Sequence, residues 1–125
     1  MSGLLRLARE VWRALTPEES REVDPVVDVL DDGRAQFTWR GPTLTVDRRR
    51  RVVLRGGRVF AALDRIRSVD VIHQRADEDR PEQWKVCLGL GFLSGETLGT
   101  TAIDVEASIA AARLATLLDV PVRSL

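Results

Sequence analysis

The chain carries one cysteine (Cys87), one histidine (His73), one lysine (Lys85) and no tyrosine. A lone cysteine excludes a disulfide framework and a cysteine-based zinc site. A lone histidine excludes the histidine-rich metal sites, and no cofactor box is present. No apolar run approaches the roughly 20 residues that a helix needs to cross a bilayer. Arg6, Arg9, Glu10 and Arg13 interrupt the apolar runs near the start, so these residues do not read as a secretory signal. The expected location is therefore cytoplasmic. With 125 residues, 44% hydrophobic and 30% charged, the composition fits one ordinary globular domain and excludes a disordered chain.

Residues 2–15 have helical periodicity. Leu4, Leu5, Ala8, Val11, Trp12 and Leu15 share one face, Arg6, Arg9, Glu10 and Arg13 line the other, and Ser2 is placed to cap the start. Such a face can pack on its own domain, on a second copy or in a membrane interface, and packing against protein is the reading taken here. Thr16-Pro17-Glu18-Glu19 has the form of a helix start but leads into polar residues, so residues 1–25 read as a helical arm and polar connector.

From Val26 the period changes from helical to alternating. Strands are expected over 26–30, 34–40, 43–47, 51–55, 58–61, 66–74, 83–92 and 96–101. They are separated by turns at Asp31-Asp32-Gly33, Gly41-Pro42, Gly56-Gly57 and Ser94-Gly95. The clearest alternation sets Trp84, Val86, Leu88, Leu90 and Phe92 on one face, expected to be buried with Val69 and Val71. A helix over 105–118 closes the pattern. Asp104 is its expected cap, Val105, Ile109, Ala112, Leu117 and Leu118 its expected apolar stripe, and its many alanines allow close approach to a sheet.

This order of elements resembles the bacterial pleckstrin-homology-like (PH-like) family. The local features that carry the resemblance are Val46-Asp47-Arg48 at an arginine-rich hairpin, Leu63-Asp64-Arg65-Ile66 followed by Val69 and Val71, and the closing Leu117-Leu118-Asp119-Val120-Pro121. The resemblance covers about residues 26–120. It implies an α+β, mainly β fold: a bent antiparallel barrel of about seven strands in residues 26–125, capped by the C-terminal helix. The family also implies that a basic hairpin can grip phosphoinositide head groups.

The residues for catalysis do not converge. If 66–74 and 83–92 form a hairpin, His73 lies opposite Trp84, Val71 opposite Val86 and Asp70 opposite Cys87. His73 and Cys87 then point to opposite faces, and no base–nucleophile pair forms. His73 is expected to be partly buried, closing the core beside Trp84. Asp77, Glu78, Asp79 and Glu82 lack the alternation and glycine of a calcium loop. Gly89-Leu90-Gly91-Phe92 lies within a strand and lacks the Lys-Ser/Thr pair of a phosphate loop. Those glycines instead indicate that something packs closely on their face, leaving a flat surface for a partner. The expectation is a protein that is not an enzyme.

Charge is unevenly distributed. Residues 34–67 hold ten arginines against Asp47 and Asp64, a net +8, and the rest of the chain carries −8. Arg48, Arg49, Arg50, Arg51, Arg55 and Arg58 form the candidate anion-binding set, with an anionic lipid or phosphate ligand as partner. Charged sheet edges that resist aggregation are the simpler reading. Nucleic acid is not expected, since Phe37 and Trp39 alternate as core positions do. A PilZ-type cyclic-dinucleotide site would find its leading pair in Arg51 and Arg55 but not its following strand. The sequence thus points first to a non-catalytic protein-interaction or scaffold module. Such a module would self-associate through the N-terminal helix or a strand edge. An anionic-ligand role, peripheral at a membrane, is the alternative.

Overall fold

The computed structural model describes residues 22–125. The helix expected over 2–15, with Leu4, Leu5, Ala8, Val11, Trp12 and Leu15, lies outside the described residues. Within them, five strands form the first sheet: β1 (Val26–Val29), β2 (Arg34–Thr38), β3 (Leu44–Asp47), β4 (Val52–Arg55) and β5 (Arg58–Ala62), each antiparallel to the next in chain order. A single 3-10 turn, Leu63–Arg65, carries the chain to the second sheet. That sheet holds β6 (Ser68–Gln74), β7 (Gln83–Leu90) and β8 (Leu93–Thr101) in an antiparallel meander. After helix α1 (Asp104–Leu118), a short strand β9 (Val122–Ser124) pairs parallel to β6, giving the order β8-β7-β6-β9.

The fold is mainly β with one C-terminal helix, as expected, but the strands form two sheets and not a closed barrel. The reason lies in β9, which the alternation did not reveal because it is only three residues long. Its register sets Val69 beside Val122 and Val71 beside Ser124, so both edges of β6 are occupied. β5 therefore cannot pair with β6, the next strand in the chain.

One core lies between the sheets and α1. Phe37, Trp39, Leu44, Val46 and Val53 come from the first sheet, Val69, Val86, Leu88 and Leu98 from the second. The buried face of α1 is Ala107, Ala110, Ala111, Leu114, Ala115 and Leu118, at 3–4-residue spacing. This corrects the expected stripe: Val105 and Ala112 face outward, and only Leu118 of the five is fully buried. Alanine has no bulk beyond Cβ, so the alanine face lets the helix lie close to the sheet. The cap also differs. Helical geometry begins at Asp104 itself, which accepts only the neighbouring Val105 N–H, and Ile103 stands at the cap position.

The β6–β7 register is the expected one, with His73 opposite Trp84 and Asp70 opposite Cys87. The far end of β7 is not. Gly91 takes φ +86° and turns the chain at once, so β8 begins at Leu93 instead of after Ser94-Gly95. The alternation is lost there. Leu90 and Phe92, expected in the core, are exposed, Phe92 to 92%.

Candidate functional site

The six arginines singled out in the sequence sit at opposite ends of β4. Arg48, Arg49, Arg50 and Arg51 occupy the β3–β4 turn, while Arg55 and Arg58 flank the β4–β5 turn. Several are already engaged. Arg48 Nη2 donates to the Leu117 carbonyl (2.6 Å), meeting the negative end of α1. Arg49 Nη2 donates to Asp32 Oδ1 (2.5 Å), and Asp47 Oδ1 accepts the Arg50 backbone N–H. Arg55 does lie opposite Arg58, yet it needs no anion from solution. Its guanidinium bonds Glu96 (3.2 Å) and the Thr97 carbonyl (3.2 Å) and lies 5.7 Å from the centre of the Phe60 ring. Arg50, Arg51 and Arg58 extend into solvent without a side-chain partner among the described residues, two at one end of β4 and one at the other.

His73 and Cys87 lie on opposite faces of the second sheet. The His73 ring stacks on Trp84 (centroids 4.7 Å apart, planes at 10°) and its Nε2 lies 2.7 Å from Glu82 Oε1. It is exposed, not partly buried as expected, because it lies one residue from the end of β6, where the hairpin runs into the exposed loop 75–82. Cys87 is buried beside Thr97, and burial pushes its thiol pKa up.

Two buried carboxylates organise the interior. Asp70, wholly inaccessible, accepts the hydroxyls of Ser68 and Ser94 (2.7 Å each) and a two-pronged contact from Arg123 (3.0 and 2.7 Å). Arg123 Nη1 also donates to the Gly91 carbonyl (2.9 Å), so one side chain from β9 ties β6 to the β7–β8 turn. Burial alone raises the Asp70 pKa. The bonds from Arg123, Ser68 and Ser94 outweigh it and hold the carboxyl below its ordinary value. A Cβ on Gly89 would stand 2.0 Å from the Ser68 hydroxyl and under 3 Å from both Asp70 oxygens. The close packing expected on that glycine is therefore internal. It leaves no flat surface for a partner, and Gly91 serves the turn.

Glu106, 1% exposed in the first turn of α1, accepts Trp39 Nε1 (2.8 Å) and pairs with Arg40 through both of its oxygens. Burial again raises its pKa. Arg40, the Val23 backbone N–H and Trp39 outweigh that and hold it low. Trp39 packs closely against Gly99 of β8, so this cluster joins both sheets to the helix. It also reaches the connector: Val23 packs on the core, and Arg113 Nη1 donates to the Pro25 carbonyl (2.7 Å). Nothing in the sequence marked either carboxylate as buried, apart from the isolation of Asp70 within an alternating apolar strand.

What the interior does not absorb is an apolar corner. Leu90 pairs opposite Leu93 across the β7–β8 turn, with Phe92 projecting from it. Val59 and Phe60 of β5 join Leu90 along an open groove of about 320 Å³, closed at one side by Gly95 and Glu96. Leu90, Phe92, Leu93 and Val59 are all exposed. No helix among the described residues is long and apolar enough to cross a membrane. Comparison with protein-family models, with curated proteins and with solved structures gives no match.

Proposed function

We propose that this chain is a non-catalytic, cytoplasmic protein-interaction module of PH-like architecture that associates with copies of itself. The observation that carries the reading is the exposed corner of Leu90, Phe92, Leu93 and Val59. A phenylalanine that is 92% exposed gains nothing from the fold, and covering it with protein removes that apolar surface from water. The separation of His73 from Cys87, together with the raised thiol, supports a non-catalytic role. The anion-binding reading is the weaker one, because Arg48, Arg49 and Arg55 are engaged within the fold and Arg50 and Arg51 stand a strand's length from Arg58.

Sedimentation velocity of the full chain over a concentration series tests the reading. Reversible association is expected, weakened by Phe92→Arg and by Leu93→Arg, with circular dichroism unchanged because both side chains are exposed. A wild type that stays monomeric throughout, or variants that associate as the wild type does, overturns it. Thiol labelling gives a second test of the non-catalytic role: Cys87 should react slowly in the native state, and at the same rate in His73→Ala.

A further inference from the structure

The first sheet ends in two open edges, β1 and β5, and their charges are opposite in sign. Residues 24–32 contain four aspartates and no basic residue, although Asp31 and Asp32 pair with Arg34 and Arg49. Residues 58–67 contain three arginines against Asp64 alone. At the edges themselves, Asp28 on β1 and Arg58 on β5 are exposed and have no side-chain partner among the described residues. Both edges also present apolar side chains: Val26, Val29 and Leu30 on or beside β1, and Val59 on β5 next to the Leu90 groove.

An open edge offers unpaired N–H and C=O groups to any strand of suitable chemistry, and edge charges normally keep copies apart. Here that protection is selective. β1 against β1 brings Asp28 toward its own counterpart, and β5 against β5 does the same for Arg58, so like edges repel. Unlike edges attract. We infer that β1 of one copy adds to β5 of a second copy, extending the five-stranded sheet across the contact and covering Val59 and Leu90 with the valines of β1.

This inference rests on the self-association proposed above and names its geometry. In an antiparallel five-stranded sheet the first and fifth strands run the same way, so a copy displaced without inversion pairs β1 parallel to β5. The contact is heterologous: it uses β5 of one copy and β1 of the other, and leaves a free β1 on the first and a free β5 on the second. Assembly therefore continues beyond a dimer unless the sheet twist closes it into a ring. Added salt weakens it, since the steering charges are exposed.

The test uses full-length Asp28→Arg and Arg58→Glu, both at exposed positions, with thermal melts to confirm the fold. Wild type is expected to show a mass that rises with protein concentration and falls with salt. Each variant alone sets like charges at positions 28 and 58 and is expected to associate about tenfold more weakly. An equimolar mixture of the two variants should regain association, because every contact is again between opposite charges. A mixture that stays monomeric, or single variants that match wild type, overturns the inference. If association nevertheless persists and is lost in Phe92→Arg, the self-association reading stands and only the edge geometry falls. A wild type that is monomeric throughout removes both.

Discussion

The turn at 48–51 holds four arginines in a row, whereas Asp70 is a single acid among valines and isoleucine in β6. By sequence the turn looks like the electrostatic centre of the molecule. In the fold the order is reversed. The turn is exposed and its contacts are peripheral, such as the Arg49–Asp32 pair, whose side chains are largely in solvent. Asp70 is fully buried and fully bonded. Clustered like charges repel one another and seek water, so their density marks surface. A lone charge inside an alternating apolar strand has no such escape, and the chain must supply its partners. Substitutions in both regions test this reversal.

The largest effect is expected at Glu106. Glu106→Ala removes the buried carboxylate that Arg40 and the Trp39 indole N–H share, a loss of about 3–5 kcal/mol by urea unfolding. Asp70→Ala should fall lower, at about 3 kcal/mol, because the guanidinium of Arg123 is partly exposed and can turn to water. Arg123→Ala should exceed Asp70→Ala, since it leaves the carboxylate buried on two hydroxyls alone. A result in which Arg123→Ala is the milder of the two breaks the comparison.

Acid provides an independent check on the same pair of sites. Both carboxyls are held below their ordinary values in the folded chain, so the unfolded chain binds protons at higher pH than the folded one. Their contribution is therefore complete above the unfolded carboxylate range, about pH 4, and is lost as pH falls through the lower folded values. Urea midpoints measured downward from neutral pH should fall in wild type, and fall less steeply in the Glu106→Ala/Asp70→Ala double variant.

A smaller effect is expected at Gly89. The added methyl of Gly89→Ala meets the Ser68 hydroxyl and the Asp70 carboxylate, which must shift within a closed hydrogen-bond network, at about 1–3 kcal/mol. Ser68→Gly in the same chain removes the nearest obstacle and should recover part of that loss. No recovery would mean that the crowding is set by the backbone and not by the side chains around Asp70.

Much of the fold was legible from residues alone. Period-2 alternation placed eight of the strands and the β6–β7 register, because each inward side chain had a core to meet. It failed where local geometry overrode it. Gly91 at positive φ ended β7 before Phe92, and the period could not register that turn. On α1, Leu114, Leu118 and four alanines won the core over Val105, since closeness to the sheet counted for more than side-chain size. The three residues of β9 are too few to show a period. The exposed apolar corner was hidden for the same reason as the turn: Leu90 and Phe92 read as core until the chain reversed between them.

The smallest effects belong to the arginine turn, and they bear directly on the other side of the comparison. Arg49→Ala removes an ion pair between two largely exposed side chains, so it should change stability by under about 1 kcal/mol and less at high salt. Arg50→Glu/Arg51→Glu alters two side chains with no partner among the described residues and should leave the thermal midpoint almost unmoved. The same double variant probes whether the turn acts outward. Flotation with anionic and with neutral liposomes, each at low and high salt, should recover little protein in any arm, and the variant should match wild type. Binding to anionic vesicles that salt weakens and the double substitution abolishes would show that charge density in this sequence marks a ligand site after all, and would make the turn and not the apolar corner the functional surface.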